Sequence, residues 1–175
     1  MAFANPVVIV DALGLSEGER VADLGCGAGY FTVAASDRVG ETGAVYAVDI
    51  QSELVTKARS LDQTKRENIH FITADLEVPG STHLGAGVVD TTLLINVLFQ
   101  LSDIAPALTE AVRITRPGGR LLIIDWTDSF GGLGPPEEHV VSAEAARGAA
   151  EAAGCTCEPF TQAGDHHWGL LCSRA

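Results

Sequence analysis

The stretch that most constrains this 175-residue chain is VADLGCGAGYFT, residues 21–32. An apolar run, Val21–Leu24, passes straight into Gly25-x-Gly27-x-Gly29, and a helix-like sequence begins at once. Without a Cβ, glycine lets the backbone turn sharply out of a strand and lets a ligand approach it closely. The helix start leaves unpaired N–H groups and a partial positive charge, which suit a carboxylate or phosphate. A glycine triplet alone says little, and its surroundings decide. The nicotinamide-type fingerprint is G-x-G-x-x-G, whereas here the third glycine comes one residue early. Asp23 stands two residues before Gly25, and Ala47-Val48-Asp49 closes the next apolar run twenty residues beyond Gly29. A carboxylate there accepts both hydroxyls of a ribose and repels a 2′-phosphate. The competing reading is a structural turn and a surface aspartate.

Short β-branched runs alternate with helix-like stretches, the pattern of a parallel sheet covered by helices. Asn5 caps a helix of about residues 5–13, with Pro6 in its first position. Strands are expected at Val21–Leu24, Ala44–Val48, Ile69–Thr73, Asp90–Ile95 and Arg120–Asp125. Helices are expected at Tyr30–Arg38, from a Ser52 cap to Leu61, over Asp103–Thr115 and over Ser142–Ala153. Pro117-Gly118-Gly119 stops the third of these. Two last strands, near Cys155–Thr161 and His167–Ser173, lie too close for a helical crossover, so they pair as a hairpin with the final strand antiparallel. The loop from Trp126 to Val141 is long, and such loops are functional or disordered. The chain thus reads as one domain: N-terminal helix, core 20–126, substrate loop 127–141, and C-terminal helix and hairpin 142–175.

Eleven basic residues against 23 acidic ones give a net charge of −12. Nucleic-acid affinity is built on Lys and Arg neutralising phosphates, so DNA is excluded as a partner and RNA disfavoured. No run of about 18 apolar residues exists, so no membrane span is expected. The start of the chain lacks the features of a signal peptide, which points to the cytoplasm. Cys26, Cys155, Cys157 and Cys172 show no zinc-type spacing and read as small apolar residues in a reducing compartment. A metal cluster of the last three with His166 or His167 is the minor alternative.

The segment DLGCGAG resembles the first motif of class I S-adenosylmethionine-dependent methyltransferases. The resemblance implies S-adenosylmethionine as cofactor and S-adenosylhomocysteine as product. Asp23, Gly25, Cys26, Gly27 and Gly29 would form the cofactor loop, and Asp49 with Ile50 the ribose site. Ala74-Asp75-Leu76 is similar to the adenine-binding segment, and Asp90–Leu101 resembles the fourth-strand motif, in which Asn96 borders the methionine end. Arg116–Arg120 resembles the turn before strand 5. Together these motifs cover roughly residues 15–126, with a flavour of ubiquinone and menaquinone biosynthesis methyltransferases. The implied fold is an α/β, Rossmann-like doubly wound sheet of seven strands, order 3-2-1-4-5-7-6, with strand 7 antiparallel.

Ligands of open parallel sheets bind beyond the strand C-termini, where strand order reverses. Topology therefore puts the substrate rim at Asn96–Gln100, Trp126 with its loop, and Asp165-His166-His167. Phe99, Gln100 and Trp126 are the substrate-binding candidates, although Trp126 can equally pack under its loop. Methyl transfer needs alignment rather than a covalent nucleophile, and alignment is worth about 7–11 kcal/mol. His166 or His167 is a candidate base, unless the two are ordinary turn residues, and Asp125 is a third. Asn96 and Asp125 make too thin an oxygen set for Mg²⁺, so no metal is expected. The acceptor is expected to be a small molecule. Methylation of a protein or RNA, or a non-catalytic binding module, are the alternatives. With few residues before strand 1 to cap the site, a homodimer is a candidate cover.

Overall fold

The computed structural model describes residues 4–61 and 66–175; Lys65, one of the chain's two lysines, lies outside them. Seven strands form one sheet: β1 (Arg20–Leu24), β2 (Ala44–Asp49), β3 (Ile69–Thr73), β4 (Val89–Ile95), β5 (Thr115–Trp126), β6 (Cys155–Pro159) and β7 (His167–Arg174). Their order is β3-β2-β1-β4-β5-β7-β6, and β7 alone runs antiparallel to its neighbours. This is the Rossmann-like arrangement expected.

Helices α1 (Pro6–Leu13), α2 (Tyr30–Val39) and α3 (Ser52–Leu61) lie on one face, and α4 (Ile104–Ile114) and α5 (Ala143–Ala152) on the other. Strand side chains alternate between the two cores: Leu93 and Ile95 of β4 pack under α1 and α2, while Leu94 packs under α4 and α5. Asn5 accepts from the backbone of Val7 and Val8, and Gly14 in the left-handed region ends α1. Asp103 and Ser142 cap α4 and α5 in the same way. Ser52 is not a cap but the first residue of α3; the Gln51 carbonyl accepts from Leu54 and Val55.

Two other expectations change. Helix α4 ends where expected, but the chain enters β5 at once, at Thr115 opposite Val89. Pairing resumes at Arg120 opposite Thr91, so Arg116 to Gly119 bulge out against Asp90, where a Cβ on Gly119 would meet the Asp90 carbonyl at 2.7 Å. Cys157 and Cys172 are not separate apolar residues. They face each other across β6 and β7, with Cα atoms 4.0 Å apart, and form a disulfide. Cys26 and Cys155 are free and buried. Among the described residues no helix is long and apolar enough to cross a membrane.

Candidate functional site

Strand β1 ends against β2, and the glycine bend is tied to that neighbour. The N–H groups of Gly25 and Cys26 both donate to the Val48 carbonyl, at 2.7 and 2.9 Å. Gly27 N–H donates to Asp49 Oδ2 at 2.9 Å, and Gly29 N–H to the Cys26 carbonyl at 2.8 Å. All three glycines have positive φ (76°, 52° and 87°), where a side chain is strained. A Cβ on Gly25 would collide with Val97, and one on Gly29 would come within 2.7 Å of Ala58 Cβ on α3. Gly29 thereby lets α2 seat against α3. The first bond inside α2 runs from Val33 N–H to the Gly29 carbonyl, and Thr32 N–H turns to Asp23. Tyr30 and Phe31, at the first helical positions, are left with N–H groups that have no acceptor within the helix.

These elements wall a cavity of about 620 Å³ at the C-terminal edge of the sheet, over the point where β1 and β4 diverge. Asp23, Gly25, Cys26, Gly27, Asp49, Ile50, Ala74, Asp75, Leu76 and Asn96 line it, all named from sequence. Asp49 is 7% exposed and uses Oδ1 to accept from Gln51 N–H at 2.9 Å, which leaves lone pairs on both oxygens for a ligand. Asp23 is 2% exposed and accepts from the Thr32 hydroxyl at 2.5 Å. Burial pushes its carboxyl up to about 6, and nearby Asp49 adds to the rise. Burial, with the same two carboxylates, also pushes the Cys26 thiol up, so it is no nucleophile. Glu77 joins the lining, and no Lys, Arg or His among the described residues does.

Asn96 sits at the end of β4 with φ of 58°, a conformation uncommon for a residue with a side chain. Its side-chain Oδ1 is buried without a hydrogen-bond partner. An orphaned acceptor in the wall of a cavity is satisfied when a ligand brings a donor. Gln100 donates from Nε2 to the Asn96 carbonyl at 2.9 Å and also lines the cavity. The sequence reading did not name Ala4, Pro6, Tyr30, Phe31, Gln51, Leu54, Glu77, Ile95 and Leu101 as site residues, and all of them line the cavity. Tyr30, Gln51 and Glu77 directly follow recognised motif residues, so adjacency was a usable signal for those three.

The remaining candidates are placed otherwise. Asp125, a candidate base from the sequence, is 0% exposed. Its carboxylate accepts from the N–H groups of Leu98 (2.8 Å), Phe99 (3.3 Å) and Trp126 (2.8 Å), and burial pushes it up to about 6. It holds the 3-10 turn Leu98–Gln100 in place instead of facing the cavity. Phe99 lines a neighbouring groove. Trp126 packs on Gly134 of its own loop and on the ring of His167, 4.4 Å away. The hairpin tip does stand beside the end of β5, as topology required, with Thr127 N–H bonded to the His166 carbonyl. His167 is 7% exposed, both ring nitrogens lack partners, and burial pulls its pKa down. His166 lies 3.4 Å from Asp128 and against the Phe130 ring. Neither histidine lines the cavity. The loop itself carries two 3-10 turns, Phe130–Gly132 and Glu137–His139.

A family model described as a methyltransferase domain matches residues 15–161. A protein of transposon TN4556 from Streptomyces fradiae is 36% identical over 121 residues, 68% of this chain and 34% of that protein. The ubiquinone/menaquinone biosynthesis C-methyltransferase UbiE of Haemophilus ducreyi is 32% identical over 124 residues, 67% of this chain and 45% of its own. The chain thus spans between a third and a half of these curated relatives. The crystal structure of a SAM-dependent methyltransferase from Aquifex aeolicus superposes with a TM-score of 0.86 at 29% identity, covering 99% of this chain and 91% of that one.

Proposed function

The chain belongs to the methyltransferase-domain family, and from that premise we propose that it binds S-adenosylmethionine in the cavity at β1, β2 and β4 and methylates a small molecule. One observation carries the reading. Asp49, at the end of β2, is held by the Gly27 N–H beside an acidic cavity whose other walls come from Asp23, Asp75 and Asn96. In this assignment the free oxygen lone pairs of Asp49 accept from the ribose hydroxyls. Asp75 and Leu76 take the adenine. The N–H groups of Tyr30 and Phe31 receive the amino-acid carboxylate, and Asn96 Oδ1 with Asp23 receives the ammonium. The resident cations of S-adenosylmethionine suit a wall of four carboxylates with no basic side chain.

When bound, S-adenosylmethionine supplies a methyl group on a positively charged sulfur, which leaves as a neutral thioether. The protein then has to hold donor and acceptor in line and keep water out, and it needs no covalent nucleophile. Asp125 is unsuited as a base, because its oxygens are covered by the turn they organise. His166 stays the candidate at the rim. A cytoplasmic location and a second subunit over the open mouth belong to the same reading; a reducing compartment would leave Cys157 and Cys172 as thiols.

Calorimetry tests the assignment. S-adenosylhomocysteine binds the wild-type protein, Asp49→Ala weakens it by roughly 100-fold, and NAD gives no heat. Binding of NAD with none of S-adenosylhomocysteine overturns it.

A further inference from the structure

A residue with a Cβ resists the left-handed region of φ, and where one is found there its neighbours hold it. Among the described residues His83, Asn96 and Phe130 are of this kind, and of these only Asn96 lines the cofactor cavity. Two hydrogen bonds hold its backbone. The Asn96 N–H donates to the Ile124 carbonyl at 2.8 Å, which continues the pairing of β4 with β5. The Asn96 carbonyl accepts from Gln100 Nε2 at 2.9 Å. The first bond fixes the peptide before Asn96 and the second the peptide after it, so together they set both φ and ψ. The direction in which the side chain leaves the backbone follows from those two angles.

The next residue, Val97, is buried and packs on the glycine bend, where a Cβ on Gly25 would come within 2.3 Å of it. The end of β4 is thus held by the bend through Val97 and by Gln100 through the Asn96 carbonyl.

The turn that carries Gln100 does not depend on its side chain, which is exposed. Gln100 N–H donates to the Val97 carbonyl at 3.0 Å, Leu101 N–H to the Leu98 carbonyl at 3.1 Å, and Asp125 takes the N–H groups of Leu98 and Phe99. An exposed amide gains little stability from a carbonyl that water would serve as well. What the Gln100 amide adds is a fixed direction for Asn96, whose Oδ1 is buried without a partner. An acceptor waiting for a ligand binds it well only while it is held in one direction.

We infer that Gln100 is a positioning residue for the methyl donor: it acts through Asn96, locking that backbone so that the side chain meets the ammonium of the amino-acid tail. The inference rests on the cofactor assignment above and adds the residue that aims it.

Two ligands that differ only in the tail test it. S-adenosylhomocysteine carries the amino acid, whereas 5′-methylthioadenosine ends in a methyl group on the same nucleoside thioether. Gln100→Met keeps the bulk of the side chain and removes its donor. The urea midpoint stays unchanged, S-adenosylhomocysteine weakens by roughly tenfold in calorimetry, and 5′-methylthioadenosine stays within about twofold of wild type. Asn96→Gly supplies the second arm, because glycine keeps a φ of 58° without help and has no side chain to aim. In that background Gln100→Met has no further effect on S-adenosylhomocysteine. Equal losses for both ligands make Gln100 a plain wall of the cavity and overturn the inference, as does no loss for either. An undiminished loss in the Asn96→Gly background overturns it too, since Gln100 then acts on its own, and so does a lowered urea midpoint in Gln100→Met. If the wild-type protein binds neither ligand, the cofactor assignment itself fails. If it binds both and their ratio does not move in Gln100→Met, only the role of Gln100 falls.

Discussion

Two aspartates close neighbouring parts of the same sheet edge, Asp49 at the end of β2 and Asp125 near the end of β5. Both are buried, and both accept backbone N–H groups from an adjoining loop. The loop over Asp49 is made of glycines, and its backbone bends back to leave the carboxylate facing a cavity. The loop over Asp125 is a 3-10 turn carrying Leu98 and Phe99, and it covers the carboxylate completely. One residue type at equivalent strand ends thus serves a ligand in one place and a turn in the other. The bulk of the covering loop decides which.

The sharpest way to break that contrast is to remove each carboxylate in turn. Asp49→Ala costs roughly 100-fold in S-adenosylhomocysteine affinity, about 2.7 kcal/mol, with a smaller effect on the urea midpoint. If it unfolds the protein and spares affinity in what remains folded, Asp49 is a loop holder like Asp125. Next in size, Gly29→Ala destabilises by about 2.5 kcal/mol, because it forces positive φ on alanine and presses on Ala58. A neutral result in urea denaturation shows that the glycine loop has slack. Asp125→Ala costs about 2 kcal/mol of stability by orphaning backbone donors, and its effect on cofactor affinity is indirect, through Asn96 and Gln100. Loss of binding at unchanged stability would put Asp125 in the site after all.

A smaller effect sharpens the role of Asp23. Folding lifts its carboxyl from 3.8 to about 6, so between those values the folded chain holds a proton the unfolded chain has released. The contribution of Asp23 to stability therefore falls as pH rises through that window and levels off above it. Asp23→Asn removes this slope, raises stability at neutral pH by about 1 kcal/mol and weakens S-adenosylhomocysteine. Denaturation curves between pH 4 and pH 7 check it. Smallest of all, His166→Ala changes stability by less than about 0.5 kcal/mol and leaves cofactor affinity unchanged. Lost affinity would place the hairpin tip inside the cavity.

The cofactor half of the site was legible because its signals are local. Positive φ demands glycine at Gly25 and Gly27, and an acid ends an apolar run at Asp49. The burial of Asp125 was not legible, because nothing within a few residues of it announces the turn that covers it. That turn lies 26 to 27 residues earlier in the chain. The packing of Gly29 on Ala58 was not legible, because Ala58 belongs to another helix.

The amino-acid order alone determined what neighbouring residues settle between them: caps, turns, the position of each strand and the antiparallel hairpin at the end, while the order of the seven strands came from the family resemblance. Tertiary structure alone decided which side chains meet across the sheet. It set Cys157 opposite Cys172, laid His167 against Trp126 and left Asn96 Oδ1 without a partner. The reason is physical. Backbone conformation follows from short-range sterics and hydrogen bonding, whereas exposure and charge environment depend on whatever distant segment packs on top.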